Sequence, residues 1–302
     1  MRISVLTLAV CVAGPLAAQT SPDSAQRARE CSHCAEWNVP QKPFRIFGNT
    51  YYVGTHGLSS ILIASPSGDV LIDGALPESA PLILANIRSL GFRPEDVKLI
   101  LNSHAHYDHA GGIEPLREAT GASVAASPWS AGVIEAGKGL TGDPQLGLVL
   151  PYPRVPSVRT IADGEVLKGG DVSVTAHFTG GHTPGGTTWT WKSCEGERCL
   201  DLVYADSQTP VSADDFLFTK STTYPSGVAD FEHSFSVLEK LSCDILLTPH
   251  PGASNLFERV AATNSGGANG LVDRDACRRF ATNARRDFSA RIAKEKGASR
   301  QP

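Results

Sequence analysis

Apolar positions along the chain follow two rhythms, and each change of rhythm marks an element. Residues 44–47 and 51–54 are short apolar-rich runs parted by Gly48-Asn49, and residues 59–64 and 69–73 are parted by Pro66-Ser67-Gly68. Such runs between turn-forming residues predict strands and hairpins. Over residues 79–90 the period lengthens: Leu82, Ile83, Asn86, Ile87 and Leu90 share one helical face, Pro81 suits its first turn and Gly91 its end. A nearly continuous apolar run, 97–101, predicts a buried strand. A short helix (113–120) and a short strand (124–126) follow.

Residues 130–157 are rich in Gly and Pro with little periodicity, predicting a long irregular segment beside a cleft, with Gln145 a candidate contact. Two or three strands are expected over 158–178, and further strands at 187–191, 202–205 and 243–248. Helices are expected at 231–240, 254–262 and 273–296, the last two separated by a Gly-rich loop at 266–270. Ahead of all this, residues 19–43 read as a polar arm with one helix over 23–36. The order predicts an α+β fold in four layers, an αββα sandwich: two sheets bury their inner faces against each other and their outer faces under helices. No linker divides residues 19–302, which are expected to form one domain.

The ends of the predicted strands carry the chemistry. After the 97–101 run comes His104-Ala105-His106-Tyr107-Asp108-His109, then Ala110-Gly111-Gly112. Three imidazoles and a carboxylate in six residues are costly to bury without partners, and zinc accepts both donor types. If the strand continued, alternation would send His104, His106 and Asp108 to one side, and a turn would return His109 beside Asp108. Four donors are one more than the three a catalytic zinc takes from protein, so two metals are expected, with further ligands downstream. His182, in Gly180-Gly181-His182-Thr183-Pro184, and His250, in Pro249-His250-Pro251, each follow a predicted strand end and complete the count. Asp73, at another strand end, is either a hydrogen-bond acceptor near the site or a turn residue. Trp189 and Trp191 read as sheet packing.

Arg2, the apolar run 3–13 and the small residues Ala17 and Ala18 resemble a secretory signal peptide over residues 1–18, which places the mature protein in the periplasm. The run is too short to predict a membrane span. Six cysteines remain after it, an even number that favours disulfides in an exported chain. Cys194 and Cys199 flank a turn and are expected to bridge locally; Cys243 and Cys277 could staple a late helix; Cys31 and Cys34 remain as a Cys-x-x-Cys pair. A net charge of -4 without a basic tract gives no sign of a nucleic-acid or membrane-surface partner.

His104-x-His106-x-Asp108-His109 with His182 and His250 resembles the metallo-β-lactamase superfamily, and the segments 49–55, 84–97, 181–191, 204–207 and 248–251 resemble its subclass B3. The resemblance implies the metallo-β-lactamase fold and a monomeric enzyme that hydrolyses the β-lactam amide bond of antibiotics, carbapenems among them, with a hydroxide generated at two zinc ions. It assigns His104, His106 and His182 to the first zinc and Asp108, His109 and His250 to the second. It gives Asp108 the orienting of the nucleophile, and Ser207 and Thr209 hydrogen bonds to the small-molecule substrate. Ser207 stands in the region where other β-lactamases place a ligand cysteine. Asp206 is read as structural, although glyoxalase-like and nuclease-like members bridge their metals with an acid from this strand end. The resemblance also pairs Cys243 with Cys277 and Cys194 with Cys199. It leaves Cys31 without its familiar partner, since His56 stands there, so Cys34 is the replacement; His56 itself reads first as a loop residue. The alternatives are another exported hydrolase of the same fold, a lactonase or thioester hydrolase, and a non-catalytic zinc-binding protein.

Overall fold

The computed structural model describes residues 31–264 and 270–298. The chain from His33 onward forms one compact unit. It carries twelve strands among the described residues, in two sheets. The first sheet runs in the order β1 (Phe44–Phe47), β2 (Thr50–Tyr52), β3 (Ile61–Ile63), β4 (Asp69–Ile72), β5 (Val97–Leu101), β6 (Ser123–Ala126) and β7 (Arg159–Thr160). The other sheet is β8 (Val166–Gly169), β9 (Val172–Phe178), β10 (Thr187–Glu195), β11 (Arg198–Tyr204) and β12 (Ile245–Leu247), with β12 beside β11. The helices are α1 (Cys34–Trp37), α2 (Ala80–Ser89), α3 (Tyr107–Ala110), α4 (Ile113–Thr120), α5 (Pro128–Ala136), α6 (Gly227–Lys240), α7 (Leu256–Asn264) and α8 (Ala276–Ala298).

The halves follow the same plan. In each, an antiparallel meander (β1 to β4; β8 to β11) is followed by a helix, α2 or α6, and then by a strand parallel to the last, β5 or β12. A parallel neighbour cannot be reached by a tight turn, so the helix is the crossover. The plan leaves β4 and β5, and equally β11 and β12, ending side by side at one rim.

Alternation along the strands builds the layers. Ile61, Ile63, Val70, Ile72, Leu99 and Leu101 meet Val174, Ala176, Trp189, Trp191, Leu202 and Tyr204 in the core between the sheets. Val203, Ala205 and Leu246 point outward into a second core made with Phe231, Phe235 and Leu238 of α6 and Cys277, Ala281 and Phe288 of α8. On the far side Leu62, Leu71 and Ile100 are also fully buried, as are Ile83 and Ile87 of α2 and Leu116 of α4. The four-layer α+β sandwich is therefore as expected.

Several details differ. Part of the 130–157 segment is the helix α5, begun at Ser127-Pro128 and ended by Gly137 at φ +66°. The β10–β11 hairpin is longer than expected, because Cys194 pairs with Cys199 across the ladder and their disulfide closes it. Cys243, just before β12, is bonded to Cys277 in α8. Cys31 and Cys34 are both disulfide-bonded. Of the helix expected over 23–36, only α1 lies within the described residues, and most of the Gly-rich 266–270 loop and all of the 1–18 segment lie outside them.

Candidate metal centre

Strand β5 stops at Leu101, so strand alternation does not arrange the histidine motif. Asp73 does much of that work from the end of β4. Its Oδ1 accepts hydrogen bonds from the Ser103 backbone N–H (2.7 Å) and Asn102 Nδ2 (3.1 Å), and its Oδ2 from Ser103 Oγ (2.6 Å) and Tyr204 OH (2.8 Å). The chain just ahead of His104 is thereby fixed by a fully buried carboxylate. His106 is extended at φ −71°, ψ 153°, and Tyr107–Ala110 then turn into α3, which carries Asp108 and His109. Gly112 is required beside it: a Cβ there would lie 2.1 Å from the Gly74 carbonyl oxygen. That close passage lets Gly74 N–H reach His109 O at 2.8 Å.

Two donor sets result, His104 with His106 and His182, and Asp108 with His109 and His250; within each, one donor atom per residue lies within 4.8 Å of the others. In the first set the ring centroids are 4.8, 4.9 and 5.0 Å apart. In the second, the Nε2 atoms of His109 and His250 each lie 3.3 Å from Asp108 Oδ2. The sets adjoin, with the His104 and His109 rings 4.4 Å apart.

Neighbours orient the rings. His104 Nδ1 is 2.8 Å from Asp206 Oδ1, and His182 Nδ1 donates to the Thr209 carbonyl at 2.8 Å. Both hydrogen bonds leave Nε2 as the atom offered to a metal, the usual arrangement for ligating imidazoles. His106 is turned the other way, with Nε2 at 3.1 and 3.2 Å from the oxygens of Asp143.

The electrostatics favour neutral imidazoles at His104 and His182. Burial, then the neighbouring His109, His106 and His182, holds His104 well below its ordinary pKa. Burial and His106 lower His182 to about 3. Burial pushes the Asp206 carboxyl up. Asp108 behaves differently: burial pushes it up, but His109 and His250 outweigh burial and hold it well below the carboxylate range. Burial lowers His250 while Asp108 raises it, and the net shift is upward. Burial also pushes Asp143 up, but His106, the Gln145 backbone N–H and His182 together bring it below its ordinary value.

The donors fit a metal. Both ring nitrogens of His109 are buried without a hydrogen-bond partner, which is costly unless something else meets them. All six donors suit zinc.

Ser207 and Thr209 line a cavity of about 700 Å³ that also touches His250 and runs along α8 past Phe280, Asn283 and Asp287. Thr209 additionally holds His182 through its carbonyl. Gln145 borders the site, with Nε2 at 3.3 Å from His182 Nε2. His56 does not: it is exposed and stacks on Phe257 at 4.7 Å. Trp189 and Trp191 are sheet packing, buried with their indole N–H groups on Asn102 O and Thr50 Oγ1. Three residues escape a reading of the sequence. Asp143 looks like a turn residue in a Gly-rich loop, Trp37 (5.3 Å from the His250 ring) sits in the polar arm, and Tyr152 donates its hydroxyl to Ala105 O at 2.8 Å. For Asp143 the available signal was a carboxylate inside Thr141-Gly142-Asp143-Pro144 next to Gln145, already a candidate.

Residues 53–250 match the metallo-beta-lactamase superfamily, and the chain belongs to it. Among solved structures it is similar to the Rm3 metallo-beta-lactamase, at 53% identity and a TM-score of 0.86 over 88% of this chain and 99% of that one. It is similar also to MEM-A1, a subclass B3 metallo-beta-lactamase from a soil metagenome library (47%, TM-score 0.84, 87% and 99% covered). MIM-1 from Novosphingobium pentaromativorans is 44% identical with a TM-score of 0.81, over 89% and 98%. Within the superfamily the chain is a subclass B3 metallo-β-lactamase. A curated relative, the hydroxyacylglutathione hydrolase of Rhodospirillum rubrum, is 28% identical over 130 residues; the match covers 43% of this chain and spans 41% of that relative.

Proposed function

We propose that this protein hydrolyses the β-lactam amide bond of antibiotics, carbapenems included, using two zinc ions, and that it confers resistance by doing so in the periplasm. The observation that carries this reading is the division of six donors into adjoining sets while Asp206 is committed to His104. That commitment favours the β-lactamase reading over a lactonase or thioester hydrolase, in which an acid at this position would bridge the metals.

His104, His106 and His182 would hold one zinc, and Asp108, His109 and His250 the other. Bound zinc supplies a Lewis acid for the carbonyl oxygen and lowers the pKa of water to roughly 7. The chain's own residues do the rest. Asp108, kept ionised by its imidazole neighbours, accepts a hydrogen bond from the attacking water and orients it. The Ser207 and Thr209 hydroxyls, on residues that line the cavity, bind the substrate carboxylate. The cavity beside them is within the usual few-hundred to ~1,000 Å³ range of small-molecule sites. Residues 1–18 direct export, and the mature chain acts as a monomer. Among the described residues no helix is long and apolar enough to cross a membrane.

The test is ring opening of a carbapenem by the purified protein, followed by loss of ultraviolet absorbance, with and without a chelator. Zinc-dependent hydrolysis is expected. No hydrolysis, with turnover of an acyl-homoserine lactone or a glutathione thioester instead, would overturn the reading.

A further inference from the structure

We infer that the segment from Gly142 to Tyr152 is the positioning element of the three-histidine site, and that Asp143 decides which nitrogen of His106 faces the metal. The inference rests on the reading that His104, His106 and His182 hold a metal. The Asp143 side chain is 1% exposed, and both its oxygens face His106 Nε2, at 3.1 and 3.2 Å. Nε2 faces both oxygens of one carboxyl group, so Nε2 is the ring nitrogen that donates and Nδ1 keeps the lone pair. His104 and His182 are set in the opposite sense, with Nδ1 engaged by Asp206 and Thr209. His106 therefore needs an orienting partner of its own.

The segment is shaped for this task. Gly142, at φ +106°, reverses the backbone where a side chain would be strained, and turns Asp143 inward. The Gln145 N–H donates to Asp143 Oδ1 at 2.8 Å and fixes the carboxylate plane. At the far end the Tyr152 hydroxyl donates to Ala105 O at 2.8 Å, the carbonyl between His104 and His106. Gln145 Nε2 lies 3.3 Å from His182 Nε2. One segment thus meets the site at the His106 ring, the Ala105 backbone and the His182 ring. Its Leu146 and Leu148 are exposed, so apolar burial of these two does not account for its position. A buried carboxylate that lost its imidazole would be costly, which binds segment and motif to each other.

The experiment uses the full mature chain labelled with ¹⁵N. The His106 ring tautomer is read by NMR, and zinc affinity by competition with a chromophoric chelator. Wild type is expected to show His106 protonated at Nε2. D143A removes the acceptor and is expected to weaken the three-histidine site by about 100-fold and to release the tautomer. D143N keeps one acceptor oxygen but can also present its amide N–H₂, so both tautomers appear and the loss is about 10-fold. Y152F, which keeps the ring and removes the hydroxyl, weakens the same site less than D143A. In all three the Asp108, His109 and His250 site keeps its affinity. Wild-type zinc affinity and an unchanged tautomer in D143N would overturn the inference, as would equal weakening of both sites. Wild-type protein that binds two zinc ions but opens no β-lactam would sink the functional reading and leave the role of Asp143 standing.

Discussion

His104, His182 and His250 sit in different electrostatic settings, and these decide how they respond to substitution and to pH. His250 belongs to one donor set only, so His250→Ala should deplete the second zinc and largely spare the first, measured as metal content per chain; equal loss of both would contradict the assignment. Protons should act through His104 and His182. Both are held below their ordinary pKa in the folded chain, His182 at about 3 against 6.5. The unfolded chain therefore binds protons that the folded chain refuses, and stability must fall as pH drops from about 6.5 toward 3. Asp108 adds to the loss only as pH falls through its own depressed value, below 3.8. His250 opposes the trend: its raised value gives stability that is present below 6.5 and lost as pH rises through the folded pKa. Chelator-treated protein should thus melt at progressively lower temperature as it is acidified below pH ~6.5. His182→Asn should flatten that dependence, and a pH-independent melt in wild type would refute the account. The six donors were legible in the sequence because histidines and a carboxylate crowd at strand ends. Asp143 was not, since its meaning depends on a ring 37 positions away.

Among the elements, those with a strong apolar period were legible within a residue or two: α2, α4 and β5 lie almost where their patterns end. Helix α5 was hidden because Gly132 sits inside it and its apolar residues do not form a clean stripe; the Ser127-Pro128 start was its one clear signal. The histidine motif takes a form that strand alternation alone does not give: Asp73 gathers Asn102 and Ser103 at the end of β5, and the chain turns into α3. Cross-links add what periodicity cannot. The Cys243–Cys277 bridge spans 34 positions and ties the start of β12 to α8, whereas Cys194–Cys199 spans only 5 within a hairpin already paired. Loop-entropy arguments give about 3–4 kcal/mol for a bridge of the longer kind. Replacing Cys243 and Cys277 by Ala should lower the urea midpoint clearly, and replacing Cys194 and Cys199 should lower it less. The reverse order would show that the hairpin, not α8, is the weak element.

At the scale of the molecule, the duplicated plan explains why donors so far apart in sequence meet. Both halves end a parallel strand pair at the same rim, so Asp73 and the histidine motif from one half face Asp206 and His250 from the other. The sandwich was readable from the order of elements, but this convergence was not, because it depends on register and crossover. The rim is also unequal in depth. The His104 and His106 side chains are 1% and 5% exposed, whereas His250 is 35% exposed. Over His250 lies Trp37, its carbonyl held by Thr55 Oγ1 at 2.6 Å and by Gly57 N–H at 3.2 Å. Metal traffic should therefore have a direction. If each set holds an ion as proposed, the one at Asp108, His109 and His250 should leave first, past the indole, and the deeper one should follow more slowly. Stopped-flow mixing of the zinc-loaded enzyme with chelator should resolve two phases, and Trp37→Ala should accelerate the fast phase alone. In surroundings where zinc is scarce, such an enzyme would lose half its metal long before it lost all of it, and its resistance would fade in two stages.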